Sequence, residues 1–254
     1  FRNCRLIGRR FRLAHIVFGR EIIEVATFRG HHDSAPKKQQ DCQKTSKQSE
    51  DGMLLRDNIY GSIEEDAERR DFTINALYYS TADFKVYDFA NGFADVEAKK
   101  IRLIGDPETR YREDPVRMLR AVRFATKLDM EISEETRLPI KELAPLLENI
   151  PAARMFEEFL KLFLSGKALQ NFRMLREYQL FRYFFPIVDQ ALNNNENPYL
   201  LAFIEKALHN TDDRINNEKR VTPAFLFAAL LWYPLQRQIN QLRLETQLTP
   251  QDAF

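Results

Sequence analysis

The chain has 254 residues, 44% of them hydrophobic, with 20 Phe and only 8 Gly, which supports one large or two modest domains with a real core and argues against a Gly-rich, loop-dominated fold. A net charge of +1 gives a weak overall field, so any nucleic-acid binding has to come from local arginine clusters. Cys4 and Cys42 are the only cysteines, too few and too far apart for a disulfide framework or a zinc site, and no apolar run reaches membrane-spanning length or reads as a signal peptide. Reduced thiols in a cytoplasm fit this composition.

In chain order, Leu13–Phe18 and Ile22–Phe28 are rich in β-branched and aromatic residues, with Gly19-Arg20 as a turn signal between them. They predict two strands at the edge of an antiparallel sheet. On the second, alternation puts Glu24, Ala26 and Phe28 on one face. A carboxylate among apolar neighbours is either an edge residue or a metal-site partner. Residues 31–52 carry Lys, Gln, Ser, Asp and Pro with almost no large apolar side chain, which predicts a disordered insertion. Residues 61–80 predict a helix, or a helix broken near Arg69-Arg70. Lys85–Phe89 and Lys100–Ile104 read as two strands flanking Asn91-Gly92. From Asp106 the pattern is helical almost to the end, punctuated by prolines such as Pro107, Pro139, Pro151, Pro186 and Pro223 where helices start or stop. The expected class is α+β: mixed to about residue 105, all-α after it, with no tandem repeat.

Two runs carry the chemistry. In Arg69-Arg70-Asp71-Phe72-Thr73-Ile74-Asn75, the carboxylate of Asp71 can act at a metal or a hydroxyl, the arginines can hold phosphates, and Asn75 lies one helical turn past Asp71. The bland alternative is an exposed charged turn from Glu64 to Asp71 stitched by i,i+4 pairs, and composition alone favours it. In Glu113-Asp114-Pro115-Val116-Arg117, Asp114 is expected as an N-cap and Pro115 at the first helical position. Arg117, Arg120 and Arg123 then follow at three-residue spacing as one cationic ridge, with Met118, Leu119, Val122 and Ala125 on the packing side. Here the bland reading is a cap and a solvated face. Three guanidinium groups crowded on one ridge repel each other, which favours an anion beside them. Asp88, Gly92 and Asp95 surround a turn and read as structural, as does an Arg154–Glu158 pair.

The strings RRDFTIN and EDPVR, with EVATFR and DFANGFAD, resemble motifs of the class II nucleotidyltransferases, the family of bacterial poly(A) polymerases and CCA-adding enzymes. The resemblance covers nearly all of the chain outside 31–52. It implies a partial, polymerase β-like nucleotidyltransferase head over 1–105, a helical neck with base recognition over 106–175, and a helical, RNA-binding body over 176–254. It implies that Asp71 contributes to catalysis with Glu24 as a site partner, and that Arg69, Arg70 and Asn75 hold the ribose–phosphate end. By the same resemblance Asp114 and Arg117 read the Watson–Crick edge of the incoming base, with Arg120 and Arg123 as further nucleotide-binding residues. An Arg donates and an Asp accepts, so the pair can match an exocyclic amine and a ring nitrogen together.

Residues Arg5–Ile16 resemble the signature of the polymerase branch. The implied reaction adds AMP from ATP to an RNA 3′ end with Mg²⁺ and releases pyrophosphate, marking bacterial RNA for decay in the cytoplasm, with RNA-decay machinery as implied partners. The family's opening motif, a Gly-Gly turn, Arg-Asp and two aspartates one residue apart, is absent. It is expected upstream of Phe1, so the chain reads as an internal fragment that is inactive by itself, with its metal ligands mostly elsewhere. Two rivals stand beside this reading: a CCA-adding transferase, and a non-catalytic RNA-binding protein on the same fold. The reading expects Asp71 and the Asp114–Arg117 couple to face a common cleft sized for ATP.

Overall fold

A computed structural model describes residues 3–7, 13–30, 47–48, 54–56 and 60–246. The expected insertion at 31–52 lies outside the described residues apart from Lys47–Gln48, as do Cys42 and residues 8–12 of the polymerase-like string. The chain forms two units, Phe1–Asp114 and Pro115–Phe254. Antiparallel strands fill much of the first and helices the second, the α+β arrangement the sequence predicts.

In the first unit, β1 (Cys4–Ile7), β2 (Leu13–Phe18) and β3 (Glu21–Ala26) form an antiparallel sheet in that order. Gly19 supplies the positive φ, +62°, that the two-residue hairpin turn requires. A short antiparallel pair joins β4 (Lys47–Gln48) to β5 (Leu54–Arg56). Helix α1 (Ile63–Arg69) opens on a capping box, in which Ser62 Oγ accepts from Glu65 N and Glu65 Oε2 accepts from Ser62 N. Glu64, Glu65 and Asp66 in its first turn suit the helix dipole.

The helix ends there, at the arginine pair where the sequence allowed a break, and it does not resume before residue 80. A single 3-10 turn, Thr73–Asn75, leads into a hairpin of β6 (Leu77–Ser80) and β7 (Lys85–Asp88). The cause is competition from elsewhere in the chain. Phe72 bridges Leu103, Thr73 N donates to Arg102 O at 3.0 Å, and Ile104 N donates to Asp71 O at 3.0 Å. These bonds draw the segment into extended backbone.

The two strands expected on either side of Asn91-Gly92 are present, but they do not pair with each other. β7 turns back onto β6, and Gly92 begins helix α2 (Gly92–Glu97), with only Lys100–Ile101 (β8) extended after it. Asp88 gathers the N–H groups of Ala90, Gly92 and Phe93 and so starts the helix. A side chain at Gly92 would force the backbone to shift, because a Cβ there would stand 2.2 Å from Thr73 O. Helix α3 (Pro107–Glu113) follows, capped by Asp106, whose carboxylate accepts from Thr109 N at 2.8 Å, with Pro107 in its first turn. Among the described residues of the first unit, the buried apolar ones are Ala67, Phe72, Ala76, Ile101, Leu103 and Tyr111.

The second unit is built from α4 (Val116–Leu128), α5 (Glu134–Arg137), α6 (Ile140–Leu143), α7 (Ala152–Phe163), α8 (Ala168–Glu177), α9 (Pro186–Asn193), α10 (Leu200–Asn216) and α11 (Pro223–Thr246). Helix α4 packs on α7 and α8, α8 on α10, and α11 on α9 and α10. Pro139, Pro151 and Pro186 start helices, whereas Pro234 lies inside α11. The abundant phenylalanine forms the core: Phe159 and Phe163 stack at 4.8 Å between centroids, and Phe172 meets Phe181 edge to face at 4.9 Å. Within this core Asn171 is fully buried and satisfied. Its Oδ1 accepts from Thr126 Oγ1 at 2.6 Å and its Nδ2 donates to Leu162 O at 2.7 Å. Among the described residues no helix is long and apolar enough to cross a membrane.

Candidate active site

Asp71 follows the end of α1, at the point where the chain leaves helical geometry. It is only 9% exposed. Its Oδ1 accepts from Phe72 N and from Asn75 Nδ2, both at 2.9 Å, and its carbonyl accepts from Ile104 N. The carboxylate is therefore oriented by its own backbone and by the amide that the sequence spacing nominated. The helical turn invoked for that spacing is a 3-10 turn in fact, which still returns Asn75 to Asp71.

The two arginines before it are held from different sides. Arg110 in α3 donates through Nη2 to the carbonyls of Arg69 (3.0 Å) and Arg70 (2.6 Å), and through Nη1 to Glu113 Oε2 (2.9 Å). Arg70's guanidinium donates to Asp66 Oδ2 from Nη2 at 2.9 Å and from Nε at 3.2 Å. Tyr78 OH donates to the same oxygen at 2.8 Å, and Arg29 N donates to Oδ1 at 3.0 Å. Burial opposes ionisation of Asp66, but Tyr78, the Arg29 amide and Arg70 outweigh it and hold the carboxyl below its ordinary value. Burial and the neighbouring Asp66 push the Tyr78 hydroxyl up. Asp66, Tyr78 and Arg110 escaped the sequence reading. The Arg70–Asp66 pair was visible there only as one of several i,i+4 charge pairs, and nothing in the sequence shows that Tyr78 shares the acid.

Thr73 and Asp95 continue the framework. Thr73 Oγ1 donates to Asp95 Oδ2 at 2.7 Å, and Arg102 Nε reaches Asp95 Oδ1 at 3.2 Å. Asp88 and Asp95 thus bind backbone and side chains of their own unit.

Asp114 is not the N-cap expected of it. It is the C-cap of α3, with φ −149° and ψ 93°, and Pro115 occupies the N-cap of α4. Proline cannot cap with a side chain, so α4 starts without a side-chain cap while Asp114 closes α3. The cationic ridge also differs from a solvated face. Arg117 is 9% exposed, and Arg120 and Arg123 lie half-buried with their guanidinium groups 5.6 and 4.6 Å from the Phe124 ring centroid. The anion that the crowded charges call for is in part the protein's own: Arg123 Nε is 4.0 Å from Glu158 Oε2. Glu158, only 4% exposed, also accepts from Lys161 at 2.7 Å. Glu24 sits on β3 opposite His15, with Oε1 3.2 Å from His15 Nε2 and its side chain 65% exposed.

Among the described residues no three His, Cys, Asp or Glu side chains are grouped as metal ligands would be. Asp71 is one carboxylate with two internal donors on Oδ1, and Mg²⁺ is usually held by one or two carboxylates together with waters and substrate phosphates. The described residues do not make a metal cradle by themselves. A cavity of about 690 Å³ opens between α10 and α11, lined by Tyr199, Phe203, Trp232 and Arg237 among others, and none of the nominated residues borders it.

A family model described as the poly A polymerase head domain matches residues 1–102, and another described as "Probable RNA and SrmB-binding site of polymerase A" matches residues 129–192. Over all 254 residues the chain is 58% identical to poly(A) polymerase I of Salmonella typhimurium, of which it covers 54%. It is 42% identical over 131 residues to the CCA-adding enzyme of Latilactobacillus sakei, covering 52% of this chain and 33% of that one. Among solved structures, the Bacillus stearothermophilus CCA-adding enzyme in complex with CTP is similar with a TM-score of 0.60 at 24% identity, over 98% of this chain and 66% of that one. At that identity the likeness speaks to the fold. The chain spans about half the length of the curated polymerase relatives it matches.

Proposed function

We propose that the chain belongs to the class II nucleotidyltransferase family and forms part of a template-independent adenylyltransferase that adds AMP from ATP to RNA 3′ ends. One observation carries the choice within the family. Identity to poly(A) polymerase I is 58% along the whole chain, against 42% over about half of it for a CCA-adding relative.

In this reading Asp71, oriented by Phe72 N and Asn75, is the acceptor carboxylate at the reacting end of the nucleotide. Arg69 and Arg70 supply positive charge to the triphosphate as charge builds toward the pyrophosphate leaving group. Asp114 accepts and Arg117 donates along the edge of the adenine. Arg120 and Glu24 are secondary candidates, and Arg123, beside Glu158, supports the helix that carries Arg117. Mg²⁺ belongs to the reading for the whole enzyme, and no step is assigned to it from these residues. A place in RNA decay, in the cytoplasm and beside RNA-decay partners, follows from the same reading.

The test uses the full-length protein with an RNA bearing a free 3′ hydroxyl and, separately, a tRNA lacking CCA. Runs of A from ATP on the RNA are expected. Efficient C addition to the tRNA would replace this reading with the CCA-adding one. RNA binding with no nucleotide consumption would leave a binding protein.

A further inference from the structure

Asp66 gathers four hydrogen bonds while only 7% exposed. Three of them converge on Oδ2, from Tyr78 OH and from two nitrogens of Arg70. Arg70 is four residues on but already outside the helix, with ψ 161°. Its guanidinium carbon also stands 5.7 Å from the Tyr78 ring centroid. One edge of the guanidinium is thus fixed, while the side chain as a whole remains 48% exposed. Its backbone is fixed too, by Arg110 on the carbonyl. An ordinary surface pair has two mobile, solvated partners and little hold on geometry. This pair has a buried acid, a second donor on that acid and an arginine open to solvent.

We propose that Asp66 and Tyr78 are positioning residues that preorganise Arg70 as a receptor for the triphosphate of the incoming nucleotide. The proposal deepens the adenylyltransferase reading and rests on it. Flexible arginine loses rotamer freedom when it grips an anion, and a guanidinium already held along one edge loses less. Asp66 carries the fastening charge and the Tyr78 hydroxyl keeps its carboxylate aimed.

The test measures, in the full-length protein, KM for ATP and kcat of AMP transfer, and the Kd of inorganic tripolyphosphate by calorimetry. The variants are Asp66→Asn, Tyr78→Phe, Arg70→Gln and the Asp66→Asn/Arg70→Gln pair. Asp66→Asn keeps an acceptor for Arg29 N. It is expected to raise both KM and Kd about tenfold with kcat within about twofold, and Tyr78→Phe to raise them about threefold. In the Arg70→Gln background Asp66→Asn is expected to add nothing. Unchanged constants in both single variants, or the same increase with Arg70 already removed, would overturn the proposal. Tyr78→Phe decides the matter if Asp66→Asn does not fold. If the wild type binds tripolyphosphate but transfers no AMP, the adenylyltransferase reading falls while the positioning claim stands on the binding data. A wild type that binds no tripolyphosphate overturns the positioning claim.

Discussion

Asp88 shows how one side chain sets local structure. Its carboxylate accepts from the backbone N–H groups of Ala90, Gly92 and Phe93 at 2.9–3.1 Å. Burial works against its ionisation, but these bonds prevail and hold the carboxyl below its ordinary value. A lowered folded value means that the stabilisation is complete above the unfolded pKa and is lost as pH falls through the folded one. Asp88→Asn is therefore expected to cost about 1 kcal/mol near neutral pH, at the low end of capping effects because the residue is solvated. Denaturant unfolding should show that gap closing on acidification, and a gap constant with pH would exclude the mechanism. At Gly92 the constraint is steric. Gly92→Ala drives a Cβ into the Thr73 carbonyl, and an overpacking cost of about 1–3 kcal/mol or more is expected in the same measurement. Asp71 and Asn75 were legible as a pair because they are four residues apart. Asp66 was not, because Tyr78 and Arg29 N reach it from 12 and 37 residues away.

Helix α8 has no side-chain cap of its own at Lys167. Its first N–H groups, on Ala168 and Leu169, donate instead to the Asp212 carboxylate of α10 at 2.6 and 3.0 Å. The negative charge also meets the positive end of the α8 dipole. Asp212→Ala is expected to cost about 1–2 kcal/mol and to speed hydrogen exchange first in the opening turn of α8. Exchange accelerating only in α10 would show that the bond does not serve as a cap. Capping by near neighbours was open to sequence reading, though not nominated, at Ser62 and Asp106, where donor and acceptor lie three residues apart. Capping across 44 residues was not. Helix α4 gives the complementary lesson. Three-residue spacing correctly placed Arg117, Arg120 and Arg123 on one helix, but only the packing of α7 shows Glu158 against the last of them.

In the proposed reading nucleotide choice is a property of the full-length protein, and the proposed base reader is tested there. Arg117 is buried at the start of α4, so truncation to alanine would confound recognition with packing. Arg117→Lys keeps the charge and removes the planar fork. In the full-length protein it is expected to lower the preference for ATP over CTP by about tenfold or more, the size of one lost bidentate contact, while RNA affinity holds. Unchanged nucleotide preference would remove Arg117 from base reading. At this scale the sequence by itself determined the class of the molecule, the two charged runs and the resemblance to class II nucleotidyltransferases, because β-branched and helical periodicities and contiguous motifs are written in neighbouring residues. Only the tertiary structure decided that the helix broken at Arg69-Arg70 gives way to a 3-10 turn and a strand, that Asn91-Gly92 opens a helix, that Asp114 is no N-cap, and which acid holds Arg70. Those outcomes turn on hydrogen bonds between segments tens of residues apart, and a backbone donor takes whichever acceptor the fold brings to it.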